Sequence, residues 1–225
     1  MSQWEKRVAA ALILGLSLPT LITATSVATT RLSQISAVDA LASLPVKGRA
    51  PKTGFSRDQF GPAWSDVDRN GCDTRNDILK RDLIDLVFKE KTDECVVLTG
   101  TLIDKYSGEE IAFTRGVSSS MEVQIDHVVA LSNAWVTGAY KLSDLQRKAL
   151  ANDPLNLFAV KGRLNSQKSD GDAATWLPPS KSFRCTYVAH QVAVKKKYKL
   201  WVTAPEKAAI VKILSSCPKQ QLPTK

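Results

Sequence analysis

Val123-Gln124-Ile125-Asp126-His127-Val128-Val129 is the stretch from which the fold can be read. Its β-branched residues make Val123 to Val128 a strand candidate that delivers Asp126 and His127 at its end, and a helix is expected to follow through Trp135. Downstream, Leu155 to Val160 reads as a second short apolar strand with Asn156 near its start. A helix carrying Asn165-Ser166-Gln167-Lys168 comes next. Strand, strand and helix in this order bring three segments that are distant in sequence around one point.

At such a point few groups suffice to hydrolyse a phosphodiester. One metal ion polarises the phosphate and stabilises the departing oxygen, and one base takes a proton from water. Histidine suits the base, because its ordinary pKa of about 6.5 leaves it mostly neutral at pH 7. His127 is therefore the expected general base, with Asp126 and Asn165 as metal ligands. Oxygen-only ligation favours one divalent cation, Mg²⁺ or Mn²⁺, over zinc. Asn156 is expected to bond across the loop so that the His127 ring faces the phosphate. Neighbouring residues of a regular strand point to opposite faces, so the arrangement requires a twist or break at the strand end. A ring facing away from the Asp126 and Asn165 oxygens, with no concave space between them, would undo the nuclease reading.

Working outward, Thr74 to Glu90 has helical spacing at Leu79, Leu83, Leu86 and Val87, with Asp73 or Thr74 as cap. Val96–Ile103 and Ile111–Arg115 read as strands joined by a turn at 105–109. Further helices are expected at Ser143–Ala151, Phe183–Lys199 and Pro205–Leu214. The layout is α+β. Residues 29–64, with Pro and Gly throughout and one short helix around Val38–Leu44, are expected to form an extended arm on the domain surface. The domain proper is 65–217, with its motif core at 122–170 and a tail at 218–225.

A hydrophobic share of 44% is enough for a real core and excludes wholesale disorder. The net charge of +9 fits a polyanionic partner, nucleic acid or an anionic surface, and equally a merely soluble basic protein. Residues 1–28 read as an export signal: Lys6 and Arg7, a short apolar stretch from Val8 to Leu18, then Ser26-Val27-Ala28 for cleavage. The chain is accordingly expected to be secreted, with no membrane span in its mature form; an uncleaved signal anchor is the other reading. Four cysteines in an exported chain suggest disulfides and permit three pairings. Cys72–Cys95 and Cys185–Cys217 are favoured, since each closes a moderate loop within one region. No close Cys-x-x-Cys or Cys-His pair supports zinc.

Ile125-Asp126-His127-Val128-Val129 resembles the Asp-His-Ile-Val segment of HNH nucleases, including the HNH domain of RNA-guided CRISPR effectors. In that domain a structural and a metal-binding Asn stand nine residues apart, as do Asn156 and Asn165, and Lys168-Ser169-Asp170 follows similarly. Gly71-Cys72-Asp73-Thr74-Arg75-Asn76-Asp77 and Trp176-Leu177-Pro178-Pro179 look like the secreted bacterial HNH proteins of the GmrSD-related group. The resemblance covers roughly Leu44 to Cys217. It implies the ββα-metal (His-Me finger) fold, a divalent cation and cleavage of DNA or RNA. Colicin-like members carry further histidines on the last helix. This chain has two histidines in all, which leaves the asparagine variant.

Several residues carry two readings. Lys168 contacts a phosphate as a point charge or is a solvated helix lysine. Arg75 reaches a phosphate with its forked donors or forms a structural ion pair with Asp73 or Asp77. Asp66-x-Asp68-x-Asn70-Gly71, with Asp77 at the twelfth position, matches the start of a Ca²⁺ loop, or else a set of Asx turns capping the next helix. His190 reads as a surface histidine and Lys195-Lys196-Lys197 as a solvated face. DNA hydrolysis with little sequence preference is the leading expectation. An RNase of the same fold and a non-catalytic basic protein that binds nucleic acid or the cell envelope are its rivals. No obligate protein partner is indicated.

Overall fold

A computed structural model describes residues 35–117 and 119–224. The expected export signal and the start of the arm lie outside the described residues. The elements in chain order are α1 (Ala37–Ala42), α2 (Thr74–Asp82), β1 (Leu83–Phe88), β2 (Val97–Ile103), β3 (Glu110–Thr114) and β4 (Val123–His127). They continue with α3 (Leu131–Val136), α4 (Asp144–Ala151), β5 (Leu157–Lys161), α5 (Gly162–Lys168), α6 (Arg184–Lys197) and α7 (Ala204–Leu214). β1, β2 and β3 form an antiparallel sheet in that order, and β4 pairs antiparallel with β5 to form a second. The class is mixed α and β, with β1 to β4 in one run and β5 set between α4 and α5.

Helix starts follow local chemistry. The Asp73 carboxylate accepts the Asn76 N–H at the start of α2, and Ser143 with Gln146 and Thr203 with Glu206 form capping boxes on α4 and α7. Where α2 ends, the expected helix to Glu90 does not continue. Leu83 to Phe88 leaves the helix and pairs with β2, Leu83 opposite Leu102 and Phe88 opposite Val97. Ile84, Val87 and Phe88 suit a pleated surface, and pairing outweighs an apolar spacing that fits a helix equally well.

Three apolar clusters hold the fold. Ile78, Leu79, Leu102, Phe113, Ile125 and Leu157 join the two sheets to α2. α1 and α6 meet over Val128, Phe158 and Val160, while α3 and α4 pack around Phe60 and Trp135. The arm is thus no surface strap: Ala37, Ala40, Leu41 and Phe60 are core residues. The tail is tied back, with the Leu222 N–H donating to the Ile35 carbonyl.

α6 corrects two further expectations. His190 is buried, and its Nδ1 bonds the Leu155 carbonyl at 2.9 Å. Lys195 is also buried, pairing with Glu206 of α7 at 2.8 Å, because the helix is covered on more sides than its charge run suggests.

Cys72 is bonded to Cys95 and Cys185 to Cys217. The second bridge ties α6 to the chain just beyond α7, across a separation of 32 residues. Replacing both Cys185 and Cys217 by Ser should lower the unfolding free energy by about 3 kcal/mol, through a looser unfolded chain. Urea melts with a lower midpoint and a somewhat steeper slope, from the larger surface the looser unfolded chain exposes, would show this; an unchanged midpoint would contradict it.

Candidate active site

β4 is regular to its last residue, with Asp126 opposite Phe158 and His127 opposite Leu157. Alternation therefore sends Val123, Ile125 and His127 to one face, and Gln124 and Asp126 to the other. Helix α5 covers the second face. There the Asn165 amide donates to Gln124 Oε1 at 2.9 Å, and Lys168 Nζ lies 3.0 Å from Asp126 Oδ1. The expected break at the strand end is not present. His127 and the pair Asp126/Asn165 occupy opposite faces.

The His127 ring lies on the floor of a pocket of about 130 Å³, whose walls include Arg57, Trp64, Leu131 and Asn152. His127 Nε2 is 2.8 Å from the Ala151 carbonyl. A carbonyl oxygen can only accept, so Nε2 carries the hydrogen and Nδ1 is the bare nitrogen of the neutral ring. Trp64 lies nearly parallel to the ring, at 13° and 5.9 Å between centroids. Burial pushes the His127 pKa down to about 4, the Ala151 bond opposes this, and the charges of Arg57 and Lys168 add to it. At pH 7 the ring is neutral.

Asn156 is fully buried and bonds across the loop that joins β4 to β5. Its Oδ1 accepts the Val129 N–H at 2.8 Å, and its Nδ2 donates to the Val129 and Leu150 carbonyls. It thus fixes the residues on either side of the His127–Ala151 contact, without lining the pocket.

Asp126 is only 4% exposed. Its Oδ2 accepts the Tyr106 hydroxyl at 2.5 Å, and its Oδ1 accepts the Lys168 ammonium, which also donates to the His127 carbonyl. Burial raises the Asp126 pKa against the pull of Lys168 and Tyr106. Lys168 is therefore neither a phosphate contact nor a solvated lysine; it is the buried counter-ion of Asp126. A divalent ion needs oxygens open to it and to water. The Asp126 oxygens are already held by an ammonium and a hydroxyl, so in this arrangement they do not fit a metal.

Arg75 also differs from both of its readings. Its guanidinium donates to the Val123 carbonyl at 3.3 Å, at the end of β4 remote from His127. In the 66–77 loop the carboxylates are spent on local donors. Asp66 accepts the N–H groups of Asn70 and Gly71, while Asp68 and Asp77 accept the Asn70 amide. This is the Asx-turn arrangement. Among the described residues no group of three or more His, Cys, Asp or Glu could hold a metal ion.

Arg57, Trp64 and the Ala151 carbonyl are site groups that the sequence did not reveal. No spacing in the sequence signals them; the Thr74 N–H that donates to the Trp64 carbonyl and turns the arm inward is visible only in the structure.

Comparison with known proteins bears on the family of the chain. An uncharacterized secreted protein of the fungus Arthroderma benhamiae is 36% identical over 179 residues, which is 79% of this chain and 82% of that protein. The likeness is thus not confined to bacteria. No solved structure matches. Among the described residues no helix is long and apolar enough to cross a membrane. Residues 73–213, which contain both sheets and every element from α2 to α6, match the model of the C-terminal domain of GmrSD restriction endonucleases. The chain belongs to this family, of HNH nuclease type.

Proposed function

We propose that the protein is a secreted endonuclease that hydrolyses phosphodiester bonds of DNA with little sequence preference, with His127 as general base. The observation that carries this reading is the His127 ring itself: neutral, fixed in one tautomer by the Ala151 carbonyl, and set in a concave pocket. Nδ1 takes a proton from water as the water oxygen bonds to phosphorus, and the bond from phosphorus to the 3′ oxygen breaks; that oxygen takes a proton from solvent to become a 3′-hydroxyl, and the other strand end keeps a 5′-phosphate. Asn156 and the Ala151 carbonyl hold the base in position. The net charge of +9 draws a polyanion to the surface, and no helix with the features of a base reader stands out to give specificity. Secretion is supported by the two disulfides and by the likeness to the secreted fungal protein.

HNH-type nucleases generally use a divalent metal ion, whose chemistry is to polarise the phosphate and stabilise the departing oxygen. The family supports a requirement for Mg²⁺ or Mn²⁺, although in this arrangement the Asp126 oxygens, held by Lys168 and Tyr106, would not be the ones to bind the ion. Supercoiled plasmid and a structured RNA, incubated in parallel with the protein, test the reading. Nicking of plasmid that stops in EDTA and returns with Mg²⁺ or Mn²⁺ is the expected result. Cleavage of RNA only would make it an RNase of this fold. Binding of both without cleavage would make it a non-catalytic basic protein.

A further inference from the structure

Most of the wall facing His127 comes from residues 57–64, which lie before residue 73, where the family match begins. This segment is built in, not draped. Phe60 is a core residue beside Trp135, and Arg147 of α4 donates to the Gln59 carbonyl at 2.7 Å. Gly61 turns the chain at φ 79°, where an added Cβ would lie 3.3 Å from the Lys148 stem. Trp64 takes the left-handed conformation, φ 55°, which is unfavourable for a bulky side chain. It is held there by the Thr74 N–H on its carbonyl, with its ring on His127. Among the described residues with positive φ, Trp64 is the one whose side chain stacks beside the candidate base, 5.9 Å between ring centroids.

Arg57 stands at the rim of this wall, exposed, and its guanidinium makes no hydrogen bond or ion pair among the described residues. Asp58 shares the rim. Of the two, Arg57 is the one whose charge acts on the His127 ring. A free guanidinium fork beside the base matches the paired oxygens of a phosphate.

We infer that the 57–64 segment is one wall of the nuclease cleft and that Arg57 binds a phosphate of the nucleic-acid strand lying across His127. This rests on the reading of His127 as the base. The probe is a labelled 20-base-pair DNA duplex, with its binding to the full chain followed by anisotropy across a salt series, together with plasmid nicking. Arg57→Gln should weaken binding about tenfold, reduce the salt slope by about one and raise KM. Lys212→Gln, an exposed charge on α7 outside the pocket, should change affinity less than about twofold. Unchanged affinity and KM in Arg57→Gln would overturn the inference even if the wild type nicks DNA, and so would an equal loss in Lys212→Gln. A wild type that cleaves nothing, while Arg57→Gln still loses binding selectively, would overturn the hydrolytic reading and leave the binding wall standing.

Discussion

His127→Ala should lower plasmid nicking by a factor of about 10² to 10⁴, the usual contribution of a positioned general base. Affinity for the duplex should stay within about threefold, since a ring that is neutral at pH 7 adds no charge to the phosphate-facing surface. The pH profile gives a sharper test. Burial holds the ring's pKa near 4, well below its ordinary value of 6.5. Protonation at Nδ1 removes the base, so kcat/KM should fall as pH drops through about 4, with no break near 6.5.

The same shift bears on stability. In the unfolded chain this histidine takes up a proton near pH 6.5, whereas in the folded chain it does so only near 4. The unfolded state therefore binds more protons between those values, and stability falls as pH is lowered across that window. His127→Ala should flatten this part of the stability curve. Circular dichroism melts at pH 7 and pH 5, run beside the nicking assay, read both effects. Undiminished nicking by His127→Ala at any pH would remove His127 from the chemistry.

What could be read from the sequence divides along physical lines. The strand pair around Asp126–His127 and Asn156 was legible because β-branched and apolar runs bounded by turn residues leave few alternatives. The Asp73 cap of α2 was equally plain, being local. Leu83 to Phe88 was not, because its apolar residues satisfy a helical spacing while its pairing partners lie in a separate segment, from Val97 opposite Phe88 to Leu102 opposite Leu83. The faces of Asp126 and His127 followed from strand periodicity. The expectation of a shared cleft relied on a break that the ladder to Leu157 does not contain. Lys168, Lys195 and His190 were misread for one common reason. A charged or polar side chain is buried only if a partner waits for it, and Asp126, Glu206 and the Leu155 carbonyl are supplied by other elements. Arg57 and Trp64 reach His127 through a path no local pattern encodes.

Lys168→Met is the second substitution with a large expected effect, and it separates a buried counter-ion from a surface lysine. The ammonium has no exposed side-chain surface and serves two acceptors, Asp126 Oδ1 and the His127 carbonyl. Methionine fills much of the same volume but leaves both acceptors without a donor, and Asp126 retains only the Tyr106 hydroxyl. Breaking one side of a buried pair costs about 3–5 kcal/mol, which for a chain of this size is a fall in Tm on the order of 10 °C. A solvated helix lysine would change stability by about 0.5 kcal/mol or less. Replacing Asp126 by Asn in the same chain removes the stranded charge while keeping an acceptor for Tyr106, so the double variant should recover part of the loss. The recovery can be read as the coupling term of a double-mutant cycle in urea. A Lys168→Met protein with wild-type stability would mean that the ammonium does not sit between Asp126 and His127, and would reopen the Asp126 oxygens to a metal ion.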